Sequence, residues 1–405
     1  MHPWLNLGLH SASSSAHASH VHDVSSYLAR LIASGKATSR SDLARVTGLA
    51  RSTVSQHLAP LIKINLIAES GPESSARGRP PLVLRLNPQA GVILVADLGA
   101  ARGRLGLADF GQHFLAECSI ETDVVRGPEP VLDEVRRAFL QLLTEHNIAP
   151  QSVRLVVVGL PAPVDFVKGV PVRPPIMPGW DNYPVAASFQ SAFAAPVLVD
   201  NDVNLMALGE ARCRPVSQCP LLFVKVSTGI GCGIVTHEGQ LHRGADGAAG
   251  DIGHVRIPGH EELCRCGAVG CIEAFASYGA ITRRLGGECG SAGPPLASET
   301  DGSQIAGLVR AAASDIGEVV AMLVHFFNPS VIALGGRMTQ FGDEMLAGVR
   351  SVVYRRALPL ATRKLSVELS VLGRRAGIVG GGVLGVEHVL SPKGLHSLMA
   401  AQSKR

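Results

Sequence analysis

The chain has 405 residues and a net charge of +4, and 46% of its residues are hydrophobic while only 4% are aromatic. This length allows two or three domains, whose cores must rest on Val, Leu, Ile and Ala. No apolar run approaches the ~20 residues that a bilayer-crossing helix needs, and no secretory signal pattern opens the chain. We therefore expect a cytoplasmic protein that has no membrane partner and keeps its eight cysteines reduced.

Positive charge is concentrated near the N-terminus. Residues 1–20 form a Ser-, Ala- and His-rich arm that we predict to be disordered. Residues 22–90 carry nine basic residues against four acidic ones, so this segment accounts for the net positive charge of the whole chain. Such a concentration of charge on one small unit indicates a polyanion partner.

The pattern of residues 21–86 predicts a winged helix-turn-helix. Apolar residues at helical spacing form the first helix, and Ser39 or Ser41 can cap the second. Thr47-Gly48-Leu49 is a tight turn before a third helix, and two short strands around a Gly/Pro/Arg tip follow. A three-helix protein-interaction module with a solvated basic face is the alternative.

The third helix and the wing supply the predicted DNA contacts. Short polar side chains on the outward face of the helix suit base edges and phosphates in the major groove, and wing arginines suit the minor groove or phosphates. Ala50 departs from the pattern, because a Ser, Thr or Asp cap is expected where this helix begins. The predicted DNA-binding residues are Arg51, Ser52, Thr53, Ser55, Gln56, His57, Arg77 and Arg79.

From residue 91 the sequence changes to strands that alternate with helices. The apolar run over residues 92–97 is typical of a buried strand, and the spacing over residues 131–146 predicts a helix. This alternation favours an α/β fold for residues 91–390, followed by a tail over residues 391–405.

One histidine and three thiols are spaced as metal ligands. The run Gly250-Asp251-Ile252-Gly253-His254 is followed by a short C-x-C-x4-C loop that contains glycine. Zn²⁺ prefers thiolate and imidazole ligands in a tetrahedral set, which predicts a structural zinc site. A set of buried free cysteines is the alternative. The predicted ligands are His254, Cys264, Cys266 and Cys271.

Four motifs together resemble one protein family. They are Val199-Asp200-Asn201-Asp202-Val203-Asn204, Ser227-Thr228-Gly229-Ile230-Gly231-Cys232-Gly233, the run over residues 250–254 with its cysteines, and Gly270-Cys271-Ile272-Glu273. From about residue 21 to residue 390 the chain resembles the winged-helix transcriptional regulators of the ROK family (repressors, open reading frames and kinases). The resemblance implies that the winged helix-turn-helix precedes a two-lobed, actin-like (ribonuclease H-like) domain with a sugar in its cleft.

The predicted sugar-binding residues come partly from the chain and partly from this resemblance. Asn201 and Asp202 follow a predicted strand, and in a kinase such a carboxylate takes the proton of the attacking hydroxyl. Family members hold sugar hydroxyls with the carboxylate and histidine of a Glu-x-Gly-His pattern and with a later glutamate, which implies Asp251, His254 and Glu273 here. Asp251 stands where Glu is usual, so its reach is shorter by one methylene. A metal that fixes one ring nitrogen of His254 would orient the other.

The two phosphate-binding loops are altered. The family's first loop is Asp-x-Gly-Gly-Thr, whereas this chain has Asp97-Leu98-Gly99-Ala100-Ala101. The second loop keeps Thr228-Gly229-Ile230-Gly231, but Ser227 and Cys232 replace glycines, and added side chains hinder a close backbone approach to phosphate. We therefore predict a sugar-responsive transcriptional repressor that is not an enzyme. An active ATP-dependent sugar kinase with an appended DNA-binding domain, using Asp202 as its base, is the alternative.

The predicted partners are a double-stranded DNA operator and a small-molecule sugar effector. A homodimer, or a dimer of dimers, is expected because a symmetric dimer pairs with two operator half-sites. Two alternatives stay open: an activator instead of a repressor, and control by a phosphotransfer protein instead of a sugar.

Overall fold

The computed structural model describes residues 21–71, 82–286 and 302–403. The first unit contains α1 (Val21–Ala33), α2 (Arg40–Thr47), α3 (Arg51–Lys63), β1 (Ile67–Ser70) and β2 (Val83–Leu86). The two strands pair antiparallel with Ile67 opposite Leu86, which is the base of a wing. The arm over residues 1–20 and the wing residues Arg77 and Arg79 lie outside the described residues.

Local chemistry explains where the helices of this unit begin and end. The hydroxyl of Ser39 accepts a hydrogen bond from the backbone N–H of Asp42 at 3.1 Å, which caps α2. Gly48 ends α2 with a φ of +73°, a conformation that glycine adopts without steric cost. The third helix begins at Arg51 behind Ala50, which provides no side-chain cap.

The first lobe is a sheet covered by helices on both faces. Its elements are β3 (Val92–Leu98), β4 (Arg102–Asp109), β5 (Phe114–Glu121), α4 (Pro128–Glu145), β6 (Val153–Leu160), β7 (Val164–Asp165), β8 (Val170–Pro171), α5 (Ala187–Gln190) and β9 (Val197–Asn201). The five long strands lie in the order β5-β4-β3-β6-β9, and β7 pairs with β8 in a small hairpin. Every residue of β3 is buried, as expected for a central strand between two layers of helices.

The second lobe repeats this arrangement. Its elements are α6 (Asp202–Arg212), β10 (Leu221–Val226), β11 (Ile230–Val235), β12 (Leu241–His242), α7 (Ile272–Ala276), α8 (Tyr278–Arg284), α9 (Gly302–Phe327), β13 (Val331–Gly335), α10 (Gly342–Arg356), α11 (Pro359–Thr362) and β14 (Ser366–Leu369). The strands lie in the order β12-β11-β10-β13-β14. Two helices end the chain, α12 (Ala376–Val389) and α13 (Pro392–Ser403), so a helix occupies most of the segment expected to be a tail.

Two helices join the lobes. Side chains of α6 pack on β10 and β11 of the second lobe, while α12 packs on β3 and β6 of the first. The two helices contact each other through glycines, since a Cβ on Gly380 would lie 1.7 Å from the carbonyl oxygen of Leu205. A side chain at this position would therefore force the lobes apart.

The winged helix-turn-helix rests on the first lobe and on the C-terminal helices. The hydroxyl of Ser26 in α1 donates to the carbonyl of Leu390, directly after α12, at 2.5 Å. The side-chain amide of Gln112 donates to the carbonyl of Ala33 at 3.1 Å. Apolar residues of α1, α12 and α13 belong to one continuous buried cluster. Among the described residues, none of the helices has the length and apolarity to span a bilayer.

Candidate functional site

A cavity of about 820 Å³ lies between the two lobes. It is lined by the end of β3, the start of α6 and the turn between β10 and β11. The structure brings all the predicted sugar-binding residues to this one cavity, although they are separated by up to 72 positions in the sequence. These residues are Asn201, Asp202, Asp251, His254 and Glu273.

The junction of β9 and α6 is fixed by its own polar side chains. The side-chain oxygen of Asn201 accepts from the backbone N–H of Val203 at 2.9 Å and so caps α6, while its amide donates to the carbonyl of Ala162 at 2.8 Å. The preceding Asp200 accepts from the guanidinium of Arg243 at 2.6 Å. These bonds hold the neighbouring Asp202 at the floor of the cleft.

A lysine that the sequence prediction missed pairs with Asp202. Lys225 lies in β10, and its ammonium donates to the Asp202 carboxylate in an ion pair in which both side chains are largely buried. The sequence contained a signal for this ion pair: Lys225 is the single charged residue in the otherwise apolar run Leu221–Val226. A charge buried in such a strand needs an oppositely charged partner, because burying it alone is costly. The ion pair therefore holds a positively charged ammonium group at the floor of the cleft.

Glu273 reaches the second phosphate loop. Its Oε2 atom accepts from the backbone N–H of Ile230 at 2.9 Å. A Cβ on Gly229 would lie 2.4 Å from the same oxygen, so glycine is needed there for the carboxylate to fit. The carboxylate predicted to bind a sugar is therefore in direct contact with the loop predicted to bind phosphate.

His254 connects the cleft to the cysteine cluster. Its Nδ1 atom lies 3.6 Å from the Sγ of Cys264, whereas its Nε2 atom lies 3.9 Å from the Oδ1 of Asp251. The candidate ligand atoms of His254, Cys264, Cys266 and Cys271 all lie within 4.8 Å of one another. Burial raises the pKa of Cys264 and that of Cys271, and a bound cation would favour their thiolate forms. One imidazole and three thiols at this separation can hold a metal ion.

In the two predicted phosphate loops, the residues that replace the family's usual glycine and threonine differ in how they affect the cleft. Ala100 and Ala101 of the first loop line it, as does Ser227 of the second. Cys232 does not fit the expectation, because its side chain is 1% exposed and belongs to the apolar core of the second lobe. Cys232 is among the residues that line the cavity, but its side chain packs in this core, so it adds little to the surface of the cleft.

The outward face of α3 agrees with the prediction except at one residue. Arg51, Ser52 and Gln56 are exposed, and Thr53 and Ser55 are partly exposed. His57 was predicted to face DNA, and this was wrong: the side chain is 9% exposed and its Nδ1 lies 3.3 Å from the hydroxyl of Ser25 in α1. Its position three residues after the buried Val54 places it on the inner face of the helix, a signal that the periodicity contained.

Known proteins share this architecture. The chain is 28% identical to a xylose repressor of Caldicellulosiruptor bescii over 371 residues, which cover 87% of this chain and 92% of that protein. A crystal structure of a ROK family transcriptional regulator, described as a homologue of the Escherichia coli Mlc protein, has a TM-score of 0.76 and 22% identity, covering 94% and 98% of the two chains.

A kinase shares only the two-lobed part. A ROK family glucokinase from Streptomyces griseus, solved with glucose and AMPPNP, has a TM-score of 0.58 and 25% identity. It covers 73% of this chain and 99% of its own. The expected α/β fold of a regulator is therefore confirmed. Residues 96–387 match the ROK family itself, and together with the two lobes and the cleft between them this establishes that the chain belongs to the ROK family.

Proposed function

We propose that the protein is a transcriptional repressor whose DNA-binding unit responds to a sugar in the cleft. One observation carries the proposal: a single chain combines a helix with an exposed polar N-terminal half and a cleft that gathers every predicted sugar-binding residue. A helix-turn-helix reads the major groove with the N-terminal residues of its second helix. The xylose repressor among the relatives aligns with 87% of this chain.

The proposed DNA-binding residues lie on α3 and the wing. Arg51, Ser52, Thr53, Ser55 and Gln56 can reach phosphates and base edges from the start of the helix, and Arg77 and Arg79 of the wing are retained as proposed contacts. His57 is excluded because it is buried against α1. A homodimer would place two such units on the half-sites of a symmetric operator.

The proposed ligand is a sugar or a sugar derivative. The amide, carboxylate and imidazole groups of the cleft can donate to and accept from hydroxyl groups, as carbohydrate recognition requires. A structural Zn²⁺ held by the cysteine cluster would keep the Nδ1 side of His254 bound and leave Nε2 for the sugar. The metal would hold the imidazole of His254 in place, and side chains of the protein would contact the hydroxyl groups of the sugar.

A continuous packed route joins the cleft to the DNA-binding unit. Gly373 and Arg374 line the cleft directly before α12, whose 14 residues span about 21 Å to Leu390 and its bond with Ser26. Lobe closure on a sugar would shift α12 and α6 together, because their glycine contact cannot stretch or compress freely. The shift would then change the position of α1 and the spacing of the two DNA-binding units.

Sugar phosphorylation is the second candidate. It is favoured by the backbone of Thr228, Gly229 and Gly231, which lines the cleft as a phosphate cradle would, and by the likeness to the glucokinase. It is disfavoured by Ala100 and Ala101 in the first loop and by the ion pair on Asp202, the residue that would act as base.

The test uses the purified full chain. An operator is first selected from a random duplex library, and its affinity is then measured by fluorescence anisotropy with and without D-xylose or D-glucose. We expect at least one sugar to weaken operator binding tenfold or more. Incubation of the same samples with ATP, Mg²⁺ and sugar should give no turnover near the ~10 s⁻¹ of typical enzymes.

Two outcomes would overturn the proposal. Failure to enrich any duplex would remove the DNA-binding assignment. Phosphorylation of a sugar at an ordinary enzymic rate would establish the kinase instead. Operator binding that tightens with sugar would retain the sensor and reverse the sign of its response.

A further inference from the structure

Three charged groups share the floor of the cleft and come from both lobes. Asp97 ends β3, Asp202 begins α6, and Lys225 lies in β10. A Cβ on Gly159 would lie 3.6 Å from the Oδ1 of Asp97 and 3.5 Å from the Cα of Asp202, so the two acidic residues flank one glycine. Both acids are more than nine-tenths buried.

The alternation of β10 directs Lys225 to these carboxylates. Leu221 and Phe223 pack in the cluster that contains α6, whereas Leu222 and Val224 belong to the core on the other face of the sheet. Lys225 continues the first series, so its side chain faces the start of α6. Its ammonium is bound there by Asp202.

Asp97 lacks a comparable partner. Its Oδ1 atom is buried and accepts no hydrogen bond from the described residues. Burial, and then the charge of Asp202, raises the pKa of Asp97 to about 7, while the charge of Lys225 opposes the shift. Two close buried carboxylates are stabilised by a shared proton or by a cation, and in phosphoryl-transfer sites that cation is Mg²⁺ held by one or two carboxylates and the phosphates.

We propose that Lys225 is a specificity-determining residue of the cleft, whose ammonium, bound to Asp202 close to Asp97, takes the place of a divalent cation. A tethered ammonium needs no free metal, and it blocks the carboxylate oxygen that Mg²⁺ or a substrate proton would use. The cleft therefore accepts an uncharged sugar without metal and rejects the metal-bound triphosphate. This inference rests on the proposed function only in taking the cleft as the ligand site.

The test measures Mn²⁺ binding to the full chain by electron paramagnetic resonance at pH 8. Lys225→Met removes the ammonium and keeps the length of the side chain. We expect this variant to gain one Mn²⁺ site with a Kd at least tenfold below that of any wild-type site. Lys168→Met is the matched control, because Lys168 is exposed and pairs with Asp165 outside the cleft.

Two further variants keep the test decisive. The double variant Asp97→Asn with Lys225→Met should lose the new site, because one of its two carboxylates is gone. If Lys225→Met does not fold by circular dichroism, Lys225→Thr provides the same test with a small polar side chain. Equal Mn²⁺ binding by the wild type and a folded Lys225 variant would overturn the proposal.

The Mn²⁺ measurement and the sugar response test the two proposals independently. A missing sugar effect on operator binding would contradict the proposed function and leave the Mn²⁺ result unaffected. Conversely, a sugar effect that persists in a Lys225 variant with no Mn²⁺ site would leave the repressor intact and remove the role of the lysine.

Discussion

Ser26 and Leu390 join the DNA-binding unit to the C-terminal helices by a hydrogen bond of 2.5 Å between a hydroxyl and a carbonyl. They are 364 positions apart in the sequence, and Ser26 is 3% exposed. Because a buried hydrogen bond contributes about 1 kcal/mol net, its loss should loosen this contact without unfolding either part. Ser26 thus offers a direct test of how the two units are attached.

Ser26→Ala should increase amide hydrogen exchange in α1 and α13 by about fivefold, which corresponds to roughly 1 kcal/mol. Ser34→Ala is the control, because its hydroxyl donates to the carbonyl of Leu31 within the turn that ends α1. Hydrogen exchange read by mass spectrometry measures both variants. Identical exchange in the wild type and Ser26→Ala would mean that the apolar contacts alone hold the interface.

Arg51→Ala should weaken operator binding and reduce the slope of its salt dependence by about one, because one phosphate contact is lost. Lys63→Ala removes the same charge from the other end of α3 and should change neither quantity. Anisotropy titrations across a salt series measure both. A Lys63 effect as large as that of Arg51 would indicate a diffuse electrostatic contact instead of a groove-reading helix.

His57→Ala should act on stability instead of on DNA recognition. The side chain is buried beside Ser25, so its removal leaves a cavity, which costs about 2–4 kcal/mol. We expect a lower Tm and an unchanged salt slope for the fraction that remains folded. A normal Tm with weaker operator binding would return His57 to the DNA contacts.

Gly229→Ala should reduce the response to sugar at least tenfold. The added Cβ would lie 2.4 Å from the Glu273 carboxylate and would displace it from Ile230. Gly231→Ala in the same loop is the matched control, since its Cβ would meet Val203 only at an ordinary 3.4 Å. Operator release by D-glucose or D-xylose measures the difference. Equal responses in both variants would remove Glu273 from the sugar site.

Cys266→Ser should abolish metal binding, which we expect to be about one Zn²⁺ per chain in the wild type. Losing one of four ligands opens the site and should also lower the Tm. Cys213→Ser is the control, because Cys213 lies outside the cluster and burial raises the pKa of its thiol to about 11. Elemental analysis gives the metal content. A full zinc equivalent in Cys266→Ser would contradict the ligand set.

Asp97 should make the protein less stable as the pH rises from about 4 to 7. Burial raises its pKa to about 7, whereas an unfolded Asp titrates near 3.9, so over this range the folded state binds more protons. Asp97→Asn should flatten this part of the stability curve and raise the Tm at pH 8. Thermal unfolding across the pH range measures the slope.

Asp165→Asn provides a control of opposite sign. A hydrogen bond from the backbone N–H of Lys168 lowers the pKa of Asp165, so its contribution is present at neutral pH and lost on acidification. Its replacement should lower the Tm at pH 7 and not raise it. A wild-type slope in Asp97→Asn would show that Asp97 is not the group that titrates.

Local sequence patterns were enough to predict the secondary-structure elements and the candidate metal-ligating residues. Hydrophobic periodicity, the Ser39 cap and Gly48 define the helices of the DNA-binding unit, because these signals act within one or two turns. The spacing of His254 and the three cysteines brought four ligands together, since the thiols share a short loop. Residues that are close in the sequence can adopt few arrangements relative to one another, so their arrangement can be predicted from local patterns.

Which side of each element is covered depends on long-range packing, which local sequence patterns do not specify. The packing of α1 on α3 buries His57, and the apolar core of the second lobe buries the Cys232 side chain. The pairing of Lys225 with Asp202 joins two strictly separate elements, β10 and α6, and no local pattern specifies it. Such contacts depend on how distant elements pack, and the free energy of burying charged and apolar groups fixes that choice only when the whole chain has folded.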